Sequence, residues 1–129
     1  MTWGRTVEKI RVLVANRPRL MRDLVLATIA DQPDIEVIGE MNGGVEIADV
    51  VAESKPDFVI IALDNPDLRP GICDRMFEEN PHVKVIALAP ERNSSILFWS
   101  VLDVRSMRIE SSEKGILNAL RGRAHVVVQ

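Results

Sequence analysis

Short apolar runs, many of them β-branched, alternate with segments whose apolar positions recur every third or fourth residue, and the alternation continues along the chain without repeats or low-complexity stretches. That pattern marks an α/β domain built on a parallel sheet. Residues 10–14 (Ile-Arg-Val-Leu-Val) are predicted as the first strand. Pro18 fits the first turn of a helix to residue 30, with Leu20, Met21, Leu24, Val25, Ala27 and Thr28 as a broad inward stripe, ended by Gln32-Pro33-Asp34. Residues 36–40 give a shorter, more polar strand, as expected at a sheet edge, and Gly43-Gly44 separates it from a helix through residue 53. The continuously apolar run 58–63 is predicted as a central strand. Pro66 and Pro70 bracket a loop before a helix at 72–79, and residues 83–88 form the fourth strand. After Ala89-Pro90, Asn93 or Ser94 is placed to cap a fourth helix through residue 102. A weak strand at 104–109 and a helix at 112–121 complete five βα units. The expected division is an N-terminal arm at 1–8, one domain at 9–122, and a tail or linker start at 123–129.

A chain of 129 residues with 47 % hydrophobic and 27 % charged residues has the size and balance of one soluble globular domain. The formal charge of −3 argues against nucleic-acid binding by this chain alone. The single cysteine, Cys73, excludes an intrachain disulfide and reads as a small buried hydrophobe. Residues 1–9 lack a signal-peptide core, and no stretch reaches about 18 uncharged apolar residues, so a cytoplasmic protein outside the membrane is expected. His82 and His125 stand apart with no nucleophile or metal spacing beside them, and Gly43-Gly44 lacks a phosphate-loop spacing. No enzyme activity, cofactor or metal is expected. Trp3 reads as packing or disorder.

The stretch Pro56-Asp57-Phe58-Val59-Ile60-Ile61-Ala62-Leu63-Asp64-Asn65-Pro66, with Gln32-Pro33-Asp34-Ile35-Glu36-Val37-Ile38-Gly39-Glu40, resembles response-regulator receiver domains, especially those that precede a helix-turn-helix output domain. The resemblance covers residues 9–121 and implies a doubly wound (βα)5 domain with five parallel strands in the flavodoxin-like order 2-1-3-4-5. It also implies a phosphorylation pocket whose residues this chain has replaced. Ala62 stands where the family has its phosphoacceptor aspartate, Ala15-Asn16 where it has the acidic pair that holds magnesium, and Ala89 where it has Thr or Ser. The family's lysine falls near Ile109-Glu110, with Arg108 the nearest cation, and its switch aromatic near Ser106. A methyl group neither attacks a phosphohistidine nor holds a hard cation, so the resemblance implies a non-phosphorylatable pseudo-receiver.

Asp64, on the same strand parity as Ala62, is a candidate surrogate acceptor, against the plainer roles of capping amides or pairing with an arginine. Arg17, Arg19, Arg69 and Arg92 follow strands and form a candidate anion rim, against solvated charges pairing with nearby carboxylates. The apolar run Ile96-Leu97-Phe98-Trp99 leaves the predicted fourth helix almost no polar face. With Leu102 and Arg108, Phe98 and Trp99 are therefore a candidate interaction face, against the alternative that they pack in the core. The function expected is regulatory signalling by protein contact, as a homodimer through the Trp99 face. Two alternatives stay open: a sensor of an anion or nucleotide-like ligand at the strand ends, and the receiver half of a DNA-binding regulator whose helix-turn-helix lies beyond Gln129.

Overall fold

The structure is a computed structural model and describes residues 9–44, 46–101 and 104–122. Its strands are β1 (Ile10–Ala15), β2 (Ile35–Glu40), β3 (Phe58–Ala62), β4 (Lys84–Ala89), β5 (Ser94–Ser100) and β6 (Val104–Arg108). The helices are α1 (Arg19–Ala30), α2 (Ile47–Ser54), α3 (Gly71–Glu79) and α4 (Glu113–Leu120). The strands form one sheet in the order β2-β1-β3-β4-β5-β6. β1 pairs in parallel with β2 and β3, and β3 with β4. The inner strands β3 and β4, and most of β1, are apolar on both faces because helices cover both. Leu13, Val59, Ile61, Val85 and Ala87 pack beneath α2 and α3, while Val12, Val14, Ile60, Ile86 and Leu88 pack beneath α1 and α4.

The segment expected to be a fourth helix is the strand β5. Pro90–Arg92 makes one turn of 3-10 helix and Asn93 takes a left-handed conformation (φ 47°), which reverses the chain so that Ser94 lies opposite Ala89. β5 runs antiparallel to β4, and β6 antiparallel to β5. The sheet is therefore six-stranded and mixed, with four helices, and the parallel order 2-1-3-4 holds only as far as β4. The physical reason lies in the run itself. A short, wholly apolar segment is equally a buried helix or a strand covered on both faces, and here β-branched and aromatic residues beside a tight turn favour the strand. Alternation divides it, with Ile96 and Phe98 joining the α2–α3 layer and Leu97 and Trp99 the α1–α4 layer.

Helix α1 is rotated from the expected stripe. Arg22, Val25 and Ile29 face inward, whereas Leu20 and Leu24 are 70 % and 53 % exposed and Ala27 is exposed. Helix α4 is fixed at its start by Ser112, whose Oγ accepts from the Gly115 amide at 3.0 Å. Gly115 has no side chain because the backbone of Glu110 passes against it, and a methyl there would overlap the Glu110 carbonyl. Gly115→Ala should therefore lower stability by about 1–3 kcal/mol despite its better helix propensity, read as a lower urea midpoint. An unchanged or higher midpoint would contradict that packing.

Candidate functional site

The parallel strands β1, β3 and β4 all end on one edge of the sheet, where α/β domains place their ligands. Ala15 and Asn16 end and follow β1, each 1 % exposed. Ala62 ends β3 and Ala89 ends β4. Two clefts, of about 330 and 220 Å³, share Arg17, Ala62 and Asp64 in their walls, and Ala89 lines the larger and Ala15 the smaller. The strand ends thus bring together positions singled out in the sequence, with the methyl groups of Ala15, Ala62 and Ala89 in the cleft walls. The amide of Asn16 is buried with no hydrogen-bond partner at either atom and supplies at most one neutral oxygen ligand. Asp64 is the carboxylate that both clefts share. It is held by Arg17, whose Nη2 donates to Oδ2 at 3.0 Å and Oδ1 at 3.2 Å. Among the described residues no group of three His, Cys, Asp or Glu side chains is placed to hold a metal ion.

The rim arginines do not converge. Arg17 pairs with Asp64, Arg19 with Asp23 one turn along α1 (3.9 Å), and Arg69 with Asp74 at the start of α3 (3.1 Å). Arg92 lines the larger cleft beside Glu91, while Arg69 lines a separate cleft with Pro66 and Ser106. Exposed pairs of this kind contribute little to stability and occupy the charges an anion needs.

The expected interaction face is also rearranged. Phe98 is 5 % exposed and belongs to the core. Trp99 is half-buried opposite Arg105, Arg108 is exposed on β6, and Leu102 lies outside the described residues. His82 precedes β4 in an exposed turn, its amide donating to Asn80 Oδ1; Trp3 and His125 lie outside the described residues. Burial, with Asp74 adding to it, pushes the Cys73 thiol up to about 12, so it stays protonated and inert near neutral pH. Sequence reasoning missed Arg22, whose guanidinium lies buried beneath the β1–α1 loop (7 % exposed) and whose only sequence signal is a cation inside an apolar stripe.

No protein-family model matches the chain. It is 36 % identical over 84 residues to a protein-glutamate methylesterase/protein-glutamine glutaminase of Pyrococcus abyssi, covering 65 % of this chain and 23 % of that protein. It is 31 % identical over 81 residues to the uncharacterized transcriptional regulatory protein YhcZ of Bacillus subtilis, covering 61 % and 37 %. The response regulator domain of Thermotoga maritima CheB superposes with a TM-score of 0.54 and 28 % identity, over 62 % of this chain and 60 % of that one. The chain is a relative of the receiver domains. HypX from Aquifex aeolicus, in a multiply substituted variant, superposes over 89 % of the chain and 26 % of its own with a TM-score of 0.52; at 11 % identity that likeness shows the fold alone. The receiver relative spans between 17 % and 37 % of the length of the curated relatives it matches. Among its described residues, no helix is long and apolar enough to cross a membrane.

Proposed function

We propose that this receiver relative is a cytoplasmic, non-enzymatic module of regulatory signalling that takes no phosphoryl group and works by protein contact, with itself as one partner. The observation that carries the reading is Ala62 at the end of β3, between Ala15-Asn16 and Ala89 on the neighbouring strand ends. A phosphoryl group in transfer needs a nucleophilic oxygen and cations or donors to neutralise its charge. These four positions supply one amide between them. Asp64 is a poor replacement for the missing carboxylate, since it is engaged by Arg17 and, among the residues lining the two clefts, the one other acid is Glu91 beside Arg92. Without a local phosphoryl trigger, regulation falls to binding itself or to the supply of partners. The similarity to a transcriptional regulatory protein supports placing the module in the control of transcription, with any output domain outside the described residues.

Incubation with acetyl phosphate and magnesium, followed by intact mass spectrometry, tests the loss of chemistry. No phosphoryl adduct is expected on the wild type. An adduct that disappears in Asp64→Asn would overturn the reading and make Asp64 a surrogate acceptor. The ligand-sensor alternative is weakened by the carboxylate partners of Arg17, Arg19 and Arg69.

A further inference from the structure

Strand β6 ends the sheet, and among the described residues it pairs with β5 alone. The direction of its free backbone groups follows from one bond just past its end. The Ile109 amide donates to the Ser95 carbonyl at 3.0 Å, and antiparallel ladders alternate hydrogen-bonded with unbonded facing pairs. Leu97–Met107 and Trp99–Arg105 are therefore bonded pairs, while Val104, Ser106 and Arg108 turn their N–H and C=O groups outward. None of those groups finds a partner among the described residues. What such an edge accepts is another extended backbone.

The side chains narrow which backbone that is. β6 reads Val-Arg-Ser-Met-Arg and carries no acid. Arg105 and Arg108 are exposed on opposite faces of the strand, and neither forms an ion pair among the described residues. The acid that follows β6, Glu110, accepts from Ser112 Oγ at 2.8 Å instead. A second copy of β6 fits poorly. A two-fold axis through Ser106 sets Arg105 diagonally across from its own counterpart, one through Met107 does the same to Arg108, and like charges so placed repel. An extended segment with carboxylates three residues apart answers both arginines, one on each face, because alternate residues of a strand face opposite ways. Between those carboxylates, the residue facing Ser106 points to the side of a cleft of about 180 Å³, walled by Asp67, Leu68, Arg69, Val104 and Ser106 among others. We infer that an acidic, extended segment of a partner protein adds to the free edge of β6, hydrogen-bonded to Val104, Ser106 and Arg108 and paired in charge with Arg105 and Arg108. The inference rests on the protein-contact reading above and names one surface and the chemistry of its partner.

Fluorescence anisotropy of a labelled peptide, Thr-Glu-Val-Thr-Glu-Thr-Val, against its lysine counterpart Thr-Lys-Val-Thr-Lys-Thr-Val tests it on the full chain. The acidic peptide is expected to bind roughly tenfold more tightly than the lysine peptide, and the double variant Arg105→Glu with Arg108→Glu to reverse that preference. Ser106→Pro removes an outward donor and no bond to β5, so it should weaken the acidic peptide about tenfold while the circular dichroism spectrum stays that of the wild type. Amide exchange at Val104, Ser106 and Arg108 should slow when the peptide binds. Binding without that slowing would overturn strand addition, and equal binding of both peptides would overturn the part given to the arginines. No binding of the acidic peptide at millimolar concentration would overturn the β6 site. If that chain nevertheless shows a dimer mass by light scattering, the protein-contact reading stands without it; a monomer that binds no peptide counts against both.

Discussion

Phe98→Ala is expected to destabilise the chain by about 3–5 kcal/mol, a loss large enough to leave much of it unfolded at modest urea concentration. Phe98 is 5 % exposed and packs into the layer with Val85, Ala87, Ile96 and the underside of α3. Truncation there removes the ring's transfer free energy and leaves a cavity that neighbouring strands cannot close. On the solvent face of a helix the same change would cost no more than about 0.5 kcal/mol. The two placements of residues 94–100 thus differ several-fold in one urea titration. Trp99→Ala should cost less than Phe98→Ala, because Trp99 is only partly covered beside Arg105. A Phe98→Ala midpoint equal to wild type would return this segment to a docking role.

That contrast also locates what was legible in the sequence. The parallel half of the sheet could be read because its strands are separated by long amphipathic segments, and β1-to-β4 connections of that length admit few topologies. The placement of Ala15, Asn16, Ala62 and Ala89 was readable too, since they fall where the strands stop whichever way the rest of the chain turns. Beyond β4 the pattern failed. Ile96-Leu97-Phe98-Trp99 lacks a polar position, and periodicity cannot separate a two-sided strand from an all-apolar helix. The reversal depends on Asn93 entering the left-handed region, a property that an asparagine permits but does not announce. The rotation of α1 was hidden for another reason: apolar residues at both 20–24 and 25–29 offer two inward faces, and the choice is made by partners on distant loops.

Those partners gather on Arg22, and Arg22→Ala should cost about 3 kcal/mol. Its Nη1 donates to Asn42 Oδ1 at 2.6 Å and, at 3.4 Å, to the carbonyls of Asn16 and Met41, while Nε lies 3.7 Å from Glu40 Oε1. One buried cation thereby joins the loop after β1, the loop after β2 and the first turns of α1. Truncation leaves these oxygens without their donor in a site that is buried at Asn16 and partly buried at Met41 and Asn42, and a hydrogen bond to a charged group is worth more than a neutral one. The loss should not come mainly from the ion pair, because Glu40 is half exposed and beyond hydrogen-bond distance of Nε; Glu40→Gln should cost under about 1 kcal/mol. Arg22→Lys should recover less than half, since an ammonium lacks the planar fork that reaches several acceptors at once. Arg22→Met restores the apolar stem without donors, so a midpoint close to that of Arg22→Ala would assign the loss to hydrogen bonding, and one close to wild type would assign it to packing. Because the β1–α1 loop carries Asn16 and Arg17, the Arg22→Ala chain should also open the cleft edge, seen as faster amide exchange at Asn16 and Met41. Urea unfolding of Arg22→Ala within about 0.5 kcal/mol of wild type would mean that the guanidinium only fills space and that β1 and β2 hold these loops unaided.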